Sequence, residues 1–240
     1  MHLHPEQDRY NIDHNEEHVT SSDFIKDIVI GVSDGLTVPF ALAAGLSGAV
    51  DSSSLVVTAG MAEIVAGSIA MGLGGYLAGR TEIDHYDSEK RREYYEIEHL
   101  KQKELEETKE IFLSMGLTEA TVNSAVEELS LDKDKWVHFM MKYELDLDQP
   151  NPKRARNSAI TIGVSYILGG IIPLSPYFFV DTPKTGLLYS AVVTLISLFI
   201  FGYYKSKLTG QPLIVGAIKV MSIGAIAAAT AFLVAKLFGA

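Results

Sequence analysis

Four glutamates, Glu93, Glu96, Glu104 and Glu107, fall on one stripe if the residues around them form a single helix. At about 100° per residue, with Glu93 at zero, Glu96 lies near −60°, Glu104 near +20° and Glu107 near −40°. Glu82 and Glu89 extend the stripe towards the preceding apolar run. No Lys or Arg falls inside the arc; Lys90, Arg92, Lys101 and Lys103 only border it. A solvated helix face normally mixes both signs at i,i+4. Stacked carboxylates repel, and a divalent cation with oxygen ligands relieves them. A plain acidic, water-facing surface is the simpler alternative. Further along, Met140, Met141 and Glu144 share a helical face beside Trp136. Thioether plus carboxylate suits a borderline or soft transition metal better than calcium or magnesium, although methionines on a helix also serve as core packing.

A second set of acids lies in apolar surroundings. Asp34 sits near the middle of one hydrophobic run, with Asp27 seven residues earlier on the same face. Glu63 sits in the next run, followed by Gly67 and Met71 at i+4 and i+8. Ionisable groups inside a membrane are costly and mark ion or proton pathways. Asp34, Glu63 and Met71 therefore outline a path for a partly dehydrated divalent ion, and protonation of the carboxylates offers a counter-flux. Protonated acids hydrogen-bonded for structural reasons are the alternative. The Gly67, Gly72, Gly74, Gly75 and Gly79 series provides a small-residue surface for close helix approach, within the bundle or at a dimer interface.

The elements that must carry these residues follow from the distribution of polarity. Residues 80–149 hold 10 Lys/Arg against 19 Asp/Glu, almost the whole formal net charge of −10. On either side lie runs of the ~20 apolar residues needed to cross a bilayer: 26–49, 54–79, 156–178, 185–205 and 212–238. The expected fold is all-α, a polytopic membrane protein of five transmembrane helices with a helical insert between the second and third. Residues 1–22 read as a disordered tail bearing His2, His4, His14 and His18. Residues 23–79 hold the first two spans, 80–150 the insert and 151–240 the last three. Within the insert, Arg80–Met115 reads as one charged helix extending the second span, followed by helices to about Leu129 and from Asp132 to about Leu147. Pro39 predicts a kink or local unwinding in the first span. Basic residues cluster at Lys26, Arg80–Arg92, Lys153–Arg156 and Lys205–Lys207, which puts the N-terminus and the insert in the cytosol.

Composition excludes several classes. An acidic chain does not suit nucleic acid, whose phosphates need basic patches. With no cysteine, disulfides, thiolate zinc sites and cysteine nucleophiles are ruled out. No signal or transit peptide is expected, and no prosthetic group. Two other functions compete with transport by an ion/proton exchanger. Glu82–His85 and Glu96–His99 match the Glu-x-x-His element of di-iron sites, which admits a membrane-anchored ferritin-like oxidase. A proton-independent cation channel with the insert as metal sensor is the other.

The sequence resembles the vacuolar iron transporter family. The resemblance rests on Ser33-Asp34-Gly35-Leu36-Thr37-Val38-Pro39-Phe40, on Ala62-Glu63 through Met71-Gly72, and on the insert with its Glu and Met residues. Nodulin-like members lack the insert, so the likeness is to the subgroup with a cytosolic metal-binding domain. It implies a homodimer that exchanges ferrous iron for protons into an acidic compartment and is not an enzyme. Asp34, Glu63 and Met71 would line the path; Glu93, Glu96, Glu104, Glu107, Met140, Met141 and Glu144 would capture metal. The lipid bilayer, divalent metal and protons are the expected partners. The expected location is a vacuolar membrane in a eukaryote or the inner membrane in a bacterium. Manganese, cobalt and zinc suit the same ligands.

Overall fold

The computed structural model describes residues 18–238, with side chains from Asp23 onward. The histidines His2, His4 and His14 lie outside that range. The elements are α1 (His18–Ala49), α2 (Ser53–His99), α3 (Lys101–Ser114), α4 (Glu119–Leu129), α5 (Lys133–Tyr143), α6 (Arg154–Leu174), a 3₁₀ turn (Ser175–Phe179), α7 (Pro183–Leu208) and α8 (Leu213–Phe238). Five helices, α1, α2, α6, α7 and α8, are long and apolar enough to cross a membrane, and the helical segment α3–α5 lies between the second and third of them. The chain divides into two compact units. One holds the residues up to Leu73 together with Ser158 onward; the other runs from Gly74 to Asn157.

In the first unit the helices close on glycine. A Cβ at Gly35 of α1 would collide with the backbone carbonyl of Tyr166 on α6. Gly169 of α6 is as tight from the other side, with Val32 O at 3.0 Å from the position of a Cβ. Without a hydrophobic drive between helices in lipid, this close backbone approach is what holds such a bundle. Gly67 of α2 leaves room for the Tyr166 ring, so α6 fits against both α1 and α2. Below it, Ala43, Val56, Ile64, Leu174 and Tyr177 form a dry cluster. There the Tyr177 and Ser47 hydroxyls are 2.8 Å apart. Thr182 caps α7 by accepting the Thr185 N–H, and Pro183 follows at the first turn, where its missing N–H costs nothing.

Helix α1 is unbroken through Pro39, so the local unwinding expected there is absent. Proline removes only the one bond to the Gly35 carbonyl, and the packing of Gly35 against Tyr166 holds the helix on both sides of that gap.

In the second unit, Tyr86, Ile97, Trp136, Val137, Met140 and Met141 form the core, with Tyr94, Leu105, Ile111 and Phe139 packed around it. The single helix expected over Arg80–Met115 does not exist. Helix α2 ends at His99, Leu100 leaves the helical region at φ −123° and ψ 31°, and α3 starts afresh. The cause is burial. One straight helix would leave Ile97, Leu105 and Ile111 strung along its length in water, whereas the break gathers them around Trp136. Gly116, at φ +89°, ends the next segment in a conformation glycine adopts freely.

Gly35→Ala should lower stability by ~1–3 kcal/mol, since the obstructing atoms are backbone and cannot rotate away. Gly74→Ala, which meets nothing within 4 Å, should be neutral or slightly stabilising. Thermal unfolding of both variants in detergent distinguishes them.

Candidate metal-capture site and intramembrane acids

The break at Leu100 creates the site. Along a continuous helix Glu93 and Glu104 would lie about 16 Å apart in rise. Instead, carboxylate oxygens of Glu93, Glu96 and Glu104 all lie within 4.8 Å of one another, and so do those of Glu104, Glu107 and Glu144. The two triads share Glu104. The span of each is what oxygen ligands on opposite sides of one divalent ion require, at metal–oxygen distances of about 2.0–2.6 Å. All five glutamates expected to bind metal are thus brought together, although not along a straight stripe.

The centre of the group is out of water. Glu93 and Glu104 are both 0% exposed. Neither oxygen of either carboxylate has a hydrogen-bond donor. Buried carboxylates without donors are among the costliest features a fold can carry. Burial, reinforced by Glu144, Glu104 and Glu96, pushes the Glu93 carboxyl up to about 7. Burial and Glu107 push Glu104 up to about 7 as well, against the opposing pull of Lys103.

The rim departs from the cation-free arc expected from the sequence. Arg92 bridges Glu89 and Glu96 at 3.1 and 3.3 Å. Lys103 reaches Glu107 at 2.9 Å and Glu104 at 3.7 Å. Helical neighbours bordering an arc of about 80° are long enough to lean across it. These cations are solvent-exposed and well screened; the buried pair stays under-compensated.

Helix α5 is pinned across the site. Asp132 caps it by accepting the Lys135 N–H at 3.2 Å. Tyr94 of α2 donates to Asp134 at 2.7 Å, and Lys133 pairs with Glu98 at 2.8 Å. That sets Glu144, at the end of α5, beside Glu104 and Glu107. Met140 and Met141 are buried in the core cluster, and the Met140 sulfur accepts a hydrogen bond from Thr108 at 3.3 Å. The two Glu-x-x-His pairs both stay on α2. His99 stacks on Tyr95 and contacts its carbonyl at 2.9 Å, and neither His85 nor His99 belongs to a carboxylate triad.

In the other unit, Asp34 and Glu63 are half-buried. The Tyr166 hydroxyl donates to Glu63 Oε1, while Glu63 Oε2 is buried without a donor. Tyr166 also packs on Gly35, next to Asp34. Among the described residues, Glu63 is the one acid lining an open, mostly apolar groove that includes Thr37, Val38 and Ala41 of α1 and Ala227 and Ala231 of α8. Met71 lies two turns further along α2, about 12 Å in rise from Glu63. Tyr166 and Thr108 were not singled out from the sequence; an apolar-flanked tyrosine and a mid-helix threonine carry no distinguishing spacing.

The acid pair has a pH signature. The folded-state carboxyls of Glu93 and Glu104 sit above the ordinary value of 4.5, so the folded metal-free protein binds more protons than the unfolded chain. Their stabilising contribution is complete below pH 4.5 and is lost as pH rises through about 7. Thermal unfolding should show Glu93→Gln gaining on the parent protein as pH rises across that window. Divalent metal should reverse the order, and its binding should weaken and release protons as pH falls below 7.

The family model described as the VIT family matches residues 25–236. The chain is 49% identical over 224 residues to vacuolar iron transporter 1 of Tulipa gesneriana, covering 93% of this chain and 91% of the relative. It is 48% identical over 234 residues to vacuolar iron transporter 1 of Arabidopsis thaliana, covering 98% and 94%. To protein CCC1 of Saccharomyces cerevisiae it is 41% identical over 225 residues, covering 90% and 69%. The relatives named for an activity are transporters, not enzymes. With nearly its whole length matched, the chain belongs to the VIT family, the vacuolar iron transporters.

Proposed function

We propose that this protein carries ferrous iron out of the cytosol across a vacuolar or equivalent membrane, in exchange for protons and as a homodimer. The observation that carries the reading is the gathering of Glu93, Glu96, Glu104, Glu107 and Glu144 around two buried carboxylates that lack hydrogen-bond donors. Such a group relaxes on taking up a divalent cation, and relatives at nearly half identity are named vacuolar iron transporters. The basic-residue pattern supports a cytosolic insert, where the group acts as a collector. Met140 and Met141 add thioether character, which favours ferrous iron over calcium and magnesium and admits manganese, cobalt and zinc.

Asp34, Glu63 and Met71 form the transmembrane path. Iron entering between the carboxylates displaces their protons, and reprotonation from the acidic side resets them. This couples the two fluxes through the same oxygens. Tyr166 holds Glu63 Oε1, which leaves Oε2 to meet the ion.

Reconstitution in liposomes with an imposed pH gradient tests the reading. Iron uptake should follow the gradient and be lost in Asp34→Ala and Glu63→Ala. Flux that ignores the gradient would make the protein a channel, and flux that survives both substitutions would overturn the path. Tyr166→Phe, which keeps the ring beside Gly67, should lower uptake by about tenfold, the worth of one hydrogen bond to a charged acceptor.

A further inference from the structure

We propose that Thr108 is the positioning residue for the soft ligand of the capture site: it orients the Met140 thioether, with Trp136 holding Thr108 in place. The inference rests on the metal-capture reading given above. Thr108 is 0% exposed and lies one turn after Glu104 on α3; Met140, also 0% exposed, lies one turn before Glu144 on α5. The Glu104–Glu144 contact and the Thr108–Met140 contact are thus neighbouring rungs between the same two helices, about 6 Å apart in rise.

The Thr108 hydroxyl is the hub of three contacts. It accepts the Trp136 indole N–H at 2.7 Å. Its own proton faces the Glu104 carbonyl at 2.6 Å and the Met140 sulfur at 3.3 Å. Methionine has three rotatable side-chain bonds and a polarizable sulfur, which makes it an adaptable filler and a poorly specified ligand. The proton is shared, the carbonyl being the nearer acceptor, and its contact with one lone pair of the sulfur favours one placement of the thioether and leaves the other lone pair for a metal. Fixing the thioether before the metal arrives lowers the ordering cost of binding. Through the Glu104 carbonyl, the same hydroxyl ties the soft ligand to the helix turn that carries the shared carboxylate. A valine at this position would fill the same volume and do none of this.

The chain has a single tryptophan, so Trp136 emission reports on this network directly. The experiment uses the full-length protein in detergent, titrated anaerobically with ferrous iron and separately with manganese, in Thr108→Val, Thr108→Ser and Met140→Leu backgrounds. Metal-free Thr108→Val should show blue-shifted emission because the indole N–H loses its acceptor, and Thr108→Ser should not. Ferrous iron affinity should fall about three- to tenfold in Thr108→Val and in Met140→Leu, fall no further in the double variant, and stay near the parent value in Thr108→Ser. Manganese, which depends on the carboxylates, should change less than twofold. If Met140→Leu weakens iron binding and Thr108→Val does not, the role of Thr108 is overturned while the capture site stands. If Thr108→Val weakens both metals equally, Thr108 is a packing residue and the proposal fails. If neither Met140→Leu nor Glu104→Gln changes iron binding, the capture reading itself is wrong.

Discussion

Two carboxylates, Glu93 and Glu104, are held out of water beside each other with no donor to satisfy them. Little else in the Gly74–Asn157 unit makes sense without this. Like charges at close range in a desolvated setting resist ionisation, and both acids are pushed up to about 7. The apolar cluster around Trp136 supplies the energy that imposes the arrangement. The break at Leu100 turns α3 back so that Ile97, Leu105 and Ile111 share that cluster, and the acids are carried along with them. On the proposed capture reading, a divalent cation would relieve this repulsion, and the metal-free fold would then hold part of the affinity for its ligand.

The membrane-spanning unit solves a different problem with the same economy. Glycine contacts bring the α1 and α6 backbones together, and Tyr166 fills the space left by Gly67. One residue of α6 therefore touches the turn next to Asp34 and binds Glu63. The carboxylate of Glu63 is half satisfied: one oxygen is held and the other is not.

The sequence made the five spans plain, because apolar runs of ~20 residues separated by a charged block admit few other folds. Asp34 and Glu63 stood out for the same reason. The gathering of the five glutamates was also foreseen, but for a partly mistaken reason. Their helical phase was right within each segment, yet the segment is two helices, and the approach of Glu93 to Glu104 comes from the fold. Nothing near Leu100 announces a break: neither proline nor glycine lies there, and the flanking residues favour helix. Tertiary burial of Ile97 and Leu105 overrides local preference. Arg92 and Lys103 reached further across the acidic face than angular spacing implied, because long side chains ignore small arcs. Tyr166 and Thr108 could be found only once their partners, distant in sequence, were placed.

A metal-bound structure with anomalous scattering recorded at the iron absorption edge would decide whether the folded-back acids are a capture site. The expected result is anomalous density inside the triads formed by Glu93, Glu96, Glu104, Glu107 and Glu144, with the Met140 sulfur turned towards it. Iron found only on exposed carboxylates elsewhere, with no metal at Glu93 and Glu104, would contradict it.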